Sequence, residues 1–338
     1  MNICYNLMPG SWSEMTRLAT LAEQAGLHSI GIADSPLIAR DLFVASAACL
    51  QCTDQLNVFS AVTNPVTRHP SVMATAAMSL CEIAPGRVAM GIATGDSALW
   101  GVGLKPAKIA VLREYILALK ALLRGQEAVW QGNTFRPHWT NVDQHNCPKV
   151  YVACSGPKVL RMAVEVADGV IPAMGYAPEN IANVRSLIDT ACEDFDRDRT
   201  AFDVWWYADV TVGSSAEAVL SASLGSESQW LVMGGTEGKL IPVDYIPLLR
   251  EMHADGHDLQ VSYQDPERGY KLVERAKKLG LYDWLLTRSP RLVGTPAEIG
   301  ERLKALEAQG LDNWCLWQDG GEGGPADIAQ LLGSLSKR

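Results

Sequence analysis

The sequence has no run of eighteen apolar residues, so it offers no stretch able to cross a bilayer as a helix. It also lacks a basic cluster. Its 29 Lys and Arg stand against 38 Asp and Glu, a net charge of −9, so a face that tracks nucleic-acid phosphates is not expected. Met1 to Tyr5 carry neither a charged segment nor a cleavage site, so no export signal and a cytoplasmic location are expected. The eight Cys are scattered through mostly apolar stretches, which is how reduced, buried thiols look rather than a disulfide frame. His69, His138 and His145 lack ligand spacing, and no metal is expected. Without a G-x-S-x-G elbow, a serine hydrolase is a poor reading. What remains is a chain of 338 residues, 48% hydrophobic and 20% charged, able to bury a large core.

Apolar runs of strand length alternate with helical periodicity along most of that chain. Strands are expected at Asn2–Leu7, His28–Asp34, Leu56–Thr63, Arg87–Thr94, Lys149–Cys154, Gly169–Met174, Val204–Val212 and Trp314–Trp317. Helices are expected between them, the first capped by Ser13, and Thr295–Gln309 opening on a capping box. Parallel neighbours need long crossovers, so two architectures compete: a closed (β/α)₈ TIM barrel and an open doubly wound sheet. The open dinucleotide fold wants G-x-G-x-x-G after its first strand, where Met8-Pro9-Gly10-Ser11 stands instead. The α/β barrel is preferred: one domain over 1–338 with insertions at about 125–148 and 216–290.

A barrel's active site lies at the C-terminal ends of its strands. That rule turns the strand pattern into candidates: Asn6 and Met8, Asp34 and Ser35, Thr63, Asn64, Arg68 and His69, Thr94, Gly95 and Asp96. The later strands add Cys154, Ser155 and Gly156, then Met174, Gly175 and Tyr176, and finally Gln318 and Asp319. Each has an ordinary reading beside the functional one. Asp34 can serve as a loop cap, His69 as a rim residue, and Gly95-Asp96-Ser97 as a turn. Cys154 reads as buried rather than nucleophilic, with no cation nearby in sequence. Ser155-Gly156-Pro157 and Gly175-Tyr176 before Pro178 each place small residues ahead of a helix start, where free N–H groups face an anion.

Val62-Thr63-Asn64-Pro65-Val66-Thr67-Arg68-His69-Pro70 and Pro85 to Asp96 resemble the bacterial luciferase-like monooxygenase superfamily. Lys105-Pro106 with Arg113 is similar to its methylenetetrahydromethanopterin reductase-like branch. Val293-Gly294-Thr295-Pro296 through Asp312 is similar to the superfamily's closing helix and strand. The resemblance implies a barrel that binds FMN or the deazaflavin coenzyme F-420 (F420) at its mouth. It places a non-prolyl cis peptide at Ala61–Val62, where backbone bulges under the flavin ring. Asp34, Thr63, Asn64, Thr94 and Gly95 would border that ring, and Ser155, Gly156, Gly175 and Tyr176 would hold its phosphate. Asp96 matches an acidic position near the substrate.

Two departures matter. Asn6 stands where the methanopterin reductases carry Glu, and Ser35 where the related sugar-phosphate dehydrogenases carry a catalytic His. The preferred expectation is therefore a two-component monooxygenase. It would use FMNH2 from a separate flavin reductase, and O2, to oxidise a small apolar or heteroaromatic substrate, with His69 and Asp96 as catalytic groups. The ten Trp could line its pocket or simply pack the core. The alternatives are an F420-dependent reductase or dehydrogenase that transfers hydride, and a non-catalytic flavin-binding partner subunit. A homodimer or homotetramer is expected from the resemblance.

Overall fold

The computed structural model describes residues 1–139, 146–213, 228, 230–233, 235–254, 266–288, 291–318 and 321–336. Among them, ten strands form one sheet. They are β1 Asn2–Leu7, β2 Ser29–Ile32, β3 Asn57–Thr63, β4 Val88–Ile92, β7 Lys149–Cys154, β8 Gly169–Pro172, β9 Asp203–Val204, β10 Trp206–Val212, β11 Arg291–Gly294 and β12 Asn313–Gln318. Every pairing in it is parallel, in the order β11-β10-β12-β1-β2-β3-β4-β7-β8-β9. Only Trp205 separates β9, which pairs with β8, from β10, which pairs with β12. The run 203–212 therefore leads from the last strand of the order, β9, into β10, next to the other end, and so curls the sheet round as in a barrel. Trp205 N donates to Val170 O at 2.9 Å across that closure.

Strands buried on both faces read as continuous apolar runs, which is why their periodicity was legible. Alternate residues divide between two cores. Inward, Cys4, Phe59, Ala89, Tyr151, Ile171, Trp205 and Cys315 fill the barrel. Outward, Ile3, Ile30, Val58, Met90 and Val152 meet the surrounding helices. Each fully buried Leu or Ile there contributes about 1.5–3 kcal/mol.

The helices are Trp12–Ala25, Leu42–Gln51, Pro70–Ile83, Ile109–Leu123, Pro157–Val166, Pro178–Asp194, Pro296–Glu307 and Pro325–Leu335, with shorter ones at Ser97–Trp100, Tyr245–Met252 and Tyr282–Arg288 and another at Pro266–Lys278. The first helix is capped by Ser11, not Ser13. Ser11 is extended and its Oγ accepts from Glu14 N at 3.3 Å, whereas Ser13 already lies in the first turn. The helix after β4 begins at Ile109, beyond Pro106, and Ala107 N donates to Thr94 O just ahead of it. Thr295 does form the expected capping box with Glu298.

The first insertion carries the antiparallel hairpin β5 Ala128–Trp130 with β6 Asn133–Phe135; residues 140–145 lie outside the described set. So do much of 214–229 and 255–265, and Asp319. The described part of the second insertion has its own apolar cluster around Leu249, Met252, Leu272, Ala276, Leu281 and Leu285.

Candidate active site

The floor below the barrel mouth is aromatic, with Trp205 edge-on to Phe59 at 4.8 Å and Tyr151 at 5.7 Å from Phe59. Above it the peptide bond between Ala61 and Val62 is cis. There β3 sets Ser60 opposite Met90 and Thr63 opposite Ile92, so one extra residue bulges from the ladder. Two glycines make room for the bulge. A Cβ at Gly31 would come 2.1 Å from Asn6 Oδ1 and 2.6 Å from Ala61 Cβ. One at Gly91 would come 2.4 Å from Ser60 O and 2.9 Å from Val62 Cγ1. The sequence reading missed both, although a lone glycine inside an apolar strand signals close backbone approach.

Beside the bulge, Asp34 is 4% exposed. Its Oδ2 accepts from Thr63 Oγ1 at 2.6 Å and from Arg68 Nη1 at 2.5 Å. Arg68 reaches on to Asp41 Oδ2 at 3.0 Å, and Asp41 caps helix Leu42–Gln51 through Phe43 N and Val44 N. Asn64 turns its Oδ1 back onto Val66 N and Thr67 N, both at 2.9 Å. Its Nδ2 is buried and has no hydrogen-bond partner among the described residues. Gly95, at φ +95°, packs so close that a Cβ there would lie 3.2 Å from Asn64 Cβ. Thr94 contributes its carbonyl to Ala107 N.

Asp96 caps helix Ser97–Trp100 by accepting from Ser97 N. Burial pushes its carboxyl above the ordinary Asp value, with the bonds from Ser97 acting against the shift. Ser97 Oγ meets Ser35 Oγ at 2.6 Å, so the ends of β2 and β4 are joined here. The structure thus brings Asp34, Thr63, Asn64, Gly95 and Asp96 into one wall. His69 sits apart from these contacts, exposed on the rim. Its Nδ1 accepts from Ser71 N at 3.2 Å as the cap of helix Pro70–Ile83, and its ring lies 5.2 Å from Phe135 of the inserted hairpin.

Across the mouth, Gly156 and Ala177 stand at the starts of helices Pro157–Val166 and Pro178–Asp194, and neither offers a side-chain cap. Gly175 has φ +85°, and a Cβ on it would come 2.7 Å from Arg288 O. The Tyr176 ring packs edge-on against buried Trp314 at 6.0 Å. Burial pushes the Cys154 thiol up to about 12, which suits a core residue rather than a nucleophile.

Two cations that the sequence reading did not single out lie beside these helix starts. Lys239 Nζ donates to the carbonyls of Trp230, Leu231 and Met233, and a Cβ on Gly156 would lie 3.1 Å from its Cε. Arg288 donates to the carbonyls of Lys239 and Leu240. Burial, then the Arg288 charge, brings Lys239 down to about 8, and burial brings Arg288 down to about 10. The same segment sets Trp230 edge-on to Tyr207 at 5.6 Å and brings Met233 to a cavity of about 660 Å³. That cavity is otherwise lined by Trp100, Gly103, Leu104, Lys105 and Pro106.

Among the described residues, no helix is long and apolar enough to cross a membrane and no His, Cys, Asp and Glu cluster is arranged to hold a metal ion.

The chain belongs to the luciferase-like monooxygenase family, whose model matches residues 4–313. It is 26% identical over 213 residues to the 5,10-methylenetetrahydromethanopterin reductase of Methanolobus tindarius. That match takes in 62% of this chain and 65% of the relative, so the chain spans about two thirds of that relative's length. It is 27% identical over 300 residues to the F420-dependent glucose-6-phosphate dehydrogenase of Nakamurella multipartita, covering 73% of this chain and 88% of the relative. In fold it is similar to the coenzyme F420-dependent tetrahydromethanopterin reductase of Methanopyrus kandleri, at TM-score 0.71 and 18% identity, over 98% of this chain and 96% of that one.

Proposed function

We propose that the barrel mouth binds coenzyme F420 and that the chain is an oxidoreductase transferring hydride between it and a carbon–oxygen or carbon–nitrogen centre of an organic substrate. The observation that carries this reading is Asp96: a carboxyl made harder to ionise by burial, at the end of a strand, hydrogen-bonded beside the Ser35–Ser97 pair. The likeness to the F420-dependent glucose-6-phosphate dehydrogenase favours F420 over the FMN expected from sequence.

The residues present suit a flat ring. Gly31 and Gly91 let the bulge at Ala61–Val62 seat against the neighbouring strands, and Asn64 Nδ2 is a buried donor without a partner among the described residues. Asp34, Thr63, Asn64, Thr94 and Gly95 would border the ring. Ser155, Gly156, Gly175 and Tyr176 would hold the phosphate at the two helix starts, where free N–H groups concentrate, with Lys239 and Arg288 adding positive potential. When bound, the deazaflavin supplies a carbon that gives or takes hydride. Asp96 gives a proton to the substrate oxygen or nitrogen that gains charge, and takes it back in the reverse direction.

A second reading keeps the FMNH2-dependent monooxygenase with its separate flavin reductase. It is favoured by the neutral side chains of Asn6 and Ser35, which leave fewer groups for hydride chemistry. In that reading His69 donates through Nε2, since Nδ1 is engaged with Ser71.

The test is anaerobic turnover of reduced F420 with a panel of ketones and imines. Oxidation of the coenzyme without O2 supports hydride transfer. Turnover only with FMNH2 and O2 moves the protein to the second reading, and none with either cofactor favours a non-catalytic subunit.

A further inference from the structure

Asp34 uses one of its carboxylate oxygens and leaves the other open. Oδ2 receives both Thr63 Oγ1 and Arg68 Nη1, while Oδ1 has no hydrogen-bond partner among the described residues. Arg68 is itself immobilised. Its second nitrogen donates to Asp41 Oδ2 at 3.0 Å, its carbonyl accepts from Tyr115 Oη at 3.0 Å, and its guanidinium lies 5.3 Å from the Phe43 ring centre. The Asp34 side chain is 2% exposed and that of Arg68 16%, so the guanidinium lies on the outer side of the carboxylate.

We propose that Arg68 is a positioning residue that holds Asp34 by Oδ2 so that Oδ1 accepts an N–H from the edge of the bound ring, selecting rings that carry an imide. This deepens the reading given above and rests on it. A carboxylate oxygen of this kind is an acceptor only, so it rewards a ring N–H and penalises an alkylated nitrogen. Asn64, one residue beyond Thr63, supplies the complementary donor: its partnerless Nδ2 suits the carbonyl beside that N–H. Flavins and deazaflavins share such an edge in their pyrimidinedione ring, so the site reads the feature common to both and leaves their difference to other residues. The planar fork of Arg68 reaches Asp34 and Asp41 from two separate nitrogens held in one plane, whereas a lysine offers a single freely rotating ammonium.

The test compares binding of FMN with 3-methyl-FMN, and of 8-hydroxy-5-deazariboflavin with its 3-methyl derivative, by Trp fluorescence quenching. The proteins are the parent, Arg68→Met and Arg68→Lys. The parent is expected to prefer the N–H ring of whichever pair it binds by at least about tenfold. Arg68→Met should bring that preference to within about twofold, and Arg68→Lys should restore part of it. A parent without preference overturns the proposal, and so does an Arg68→Met protein that keeps the full preference. If Arg68→Met fails to fold, Arg68→Lys decides: an undiminished preference there overturns the proposal. A parent that binds neither ring system removes the functional reading itself, and this inference with it.

Discussion

The hydroxyls of Ser35 and Ser97 meet at 2.6 Å, tying the loop after β2 to the short helix that Asp96 caps. That bond fixes Asp96 where burial raises its carboxyl above the ordinary value. In the functional reading this group is the acid. Replacing it by Asn keeps the cap, since Asn caps as well as Asp, but removes the proton. Asp96→Asn is expected to lower kcat by about 10²–10⁴ with little change in KM. Steady-state kinetics in the reducing direction check this; a change confined to KM would contradict it.

The same shift has a consequence for stability. The folded chain holds the Asp96 proton more tightly than the unfolded chain, so the benefit is complete below the ordinary Asp range and is lost as pH rises through the raised value. Asp96→Asn is therefore expected to melt above the parent at about pH 7 and not at about pH 3. Thermal melts at both pH values test the sign.

Gly91 faces the bulge from β4, and a Cβ there would meet Ser60 O, which is backbone and cannot swing away. Gly91→Ala is expected to cost about 1–3 kcal/mol by overpacking and to weaken cofactor binding with it. Denaturant titration and fluorescence binding together check this. A substitution that is neutral in both would mean that the bulge has slack.

Lys239 is a buried ammonium held by three carbonyls, brought down to about 8. Between that value and the ordinary Lys value the unfolded chain binds more protons, so this group makes stability rise with pH across that interval. The stability difference between parent and Lys239→Met should shift toward the parent from about pH 8 to about pH 10. Denaturation at each pH measures it; a constant difference would contradict the assignment.

Much of the fold was legible because parallel barrel strands are buried on both faces and so announce themselves as apolar runs. The wall of Asp34, Thr63, Asn64, Gly95 and Asp96 followed from where strands end, and the cis bond at Ala61–Val62 from the resemblance. Lys239 and Arg288 were not legible. They sit in the irregular second insertion and answer to backbone carbonyls, which leave no residue pattern in sequence. The N-cap reads two residues late, at Ser13, because a hydroxyl there looks the same in sequence as the one at Ser11, and only the extended backbone at Ser11 marks the cap.

His69 separates the two chemistries. Asn retains the capping acceptor that Nδ1 gives to Ser71 N, so His69→Asn should fold normally. Hydride transfer should then change by less than about twofold, whereas oxygen transfer that depends on this proton should fall by about 10² or more.

The most direct measurement of the central claim is an anaerobic titration of the purified protein with F420, FMN and FMNH2, followed by Trp fluorescence quenching. The account predicts the tightest binding for F420. Tighter binding of FMNH2 than of F420 would contradict it and return the protein to oxygen chemistry.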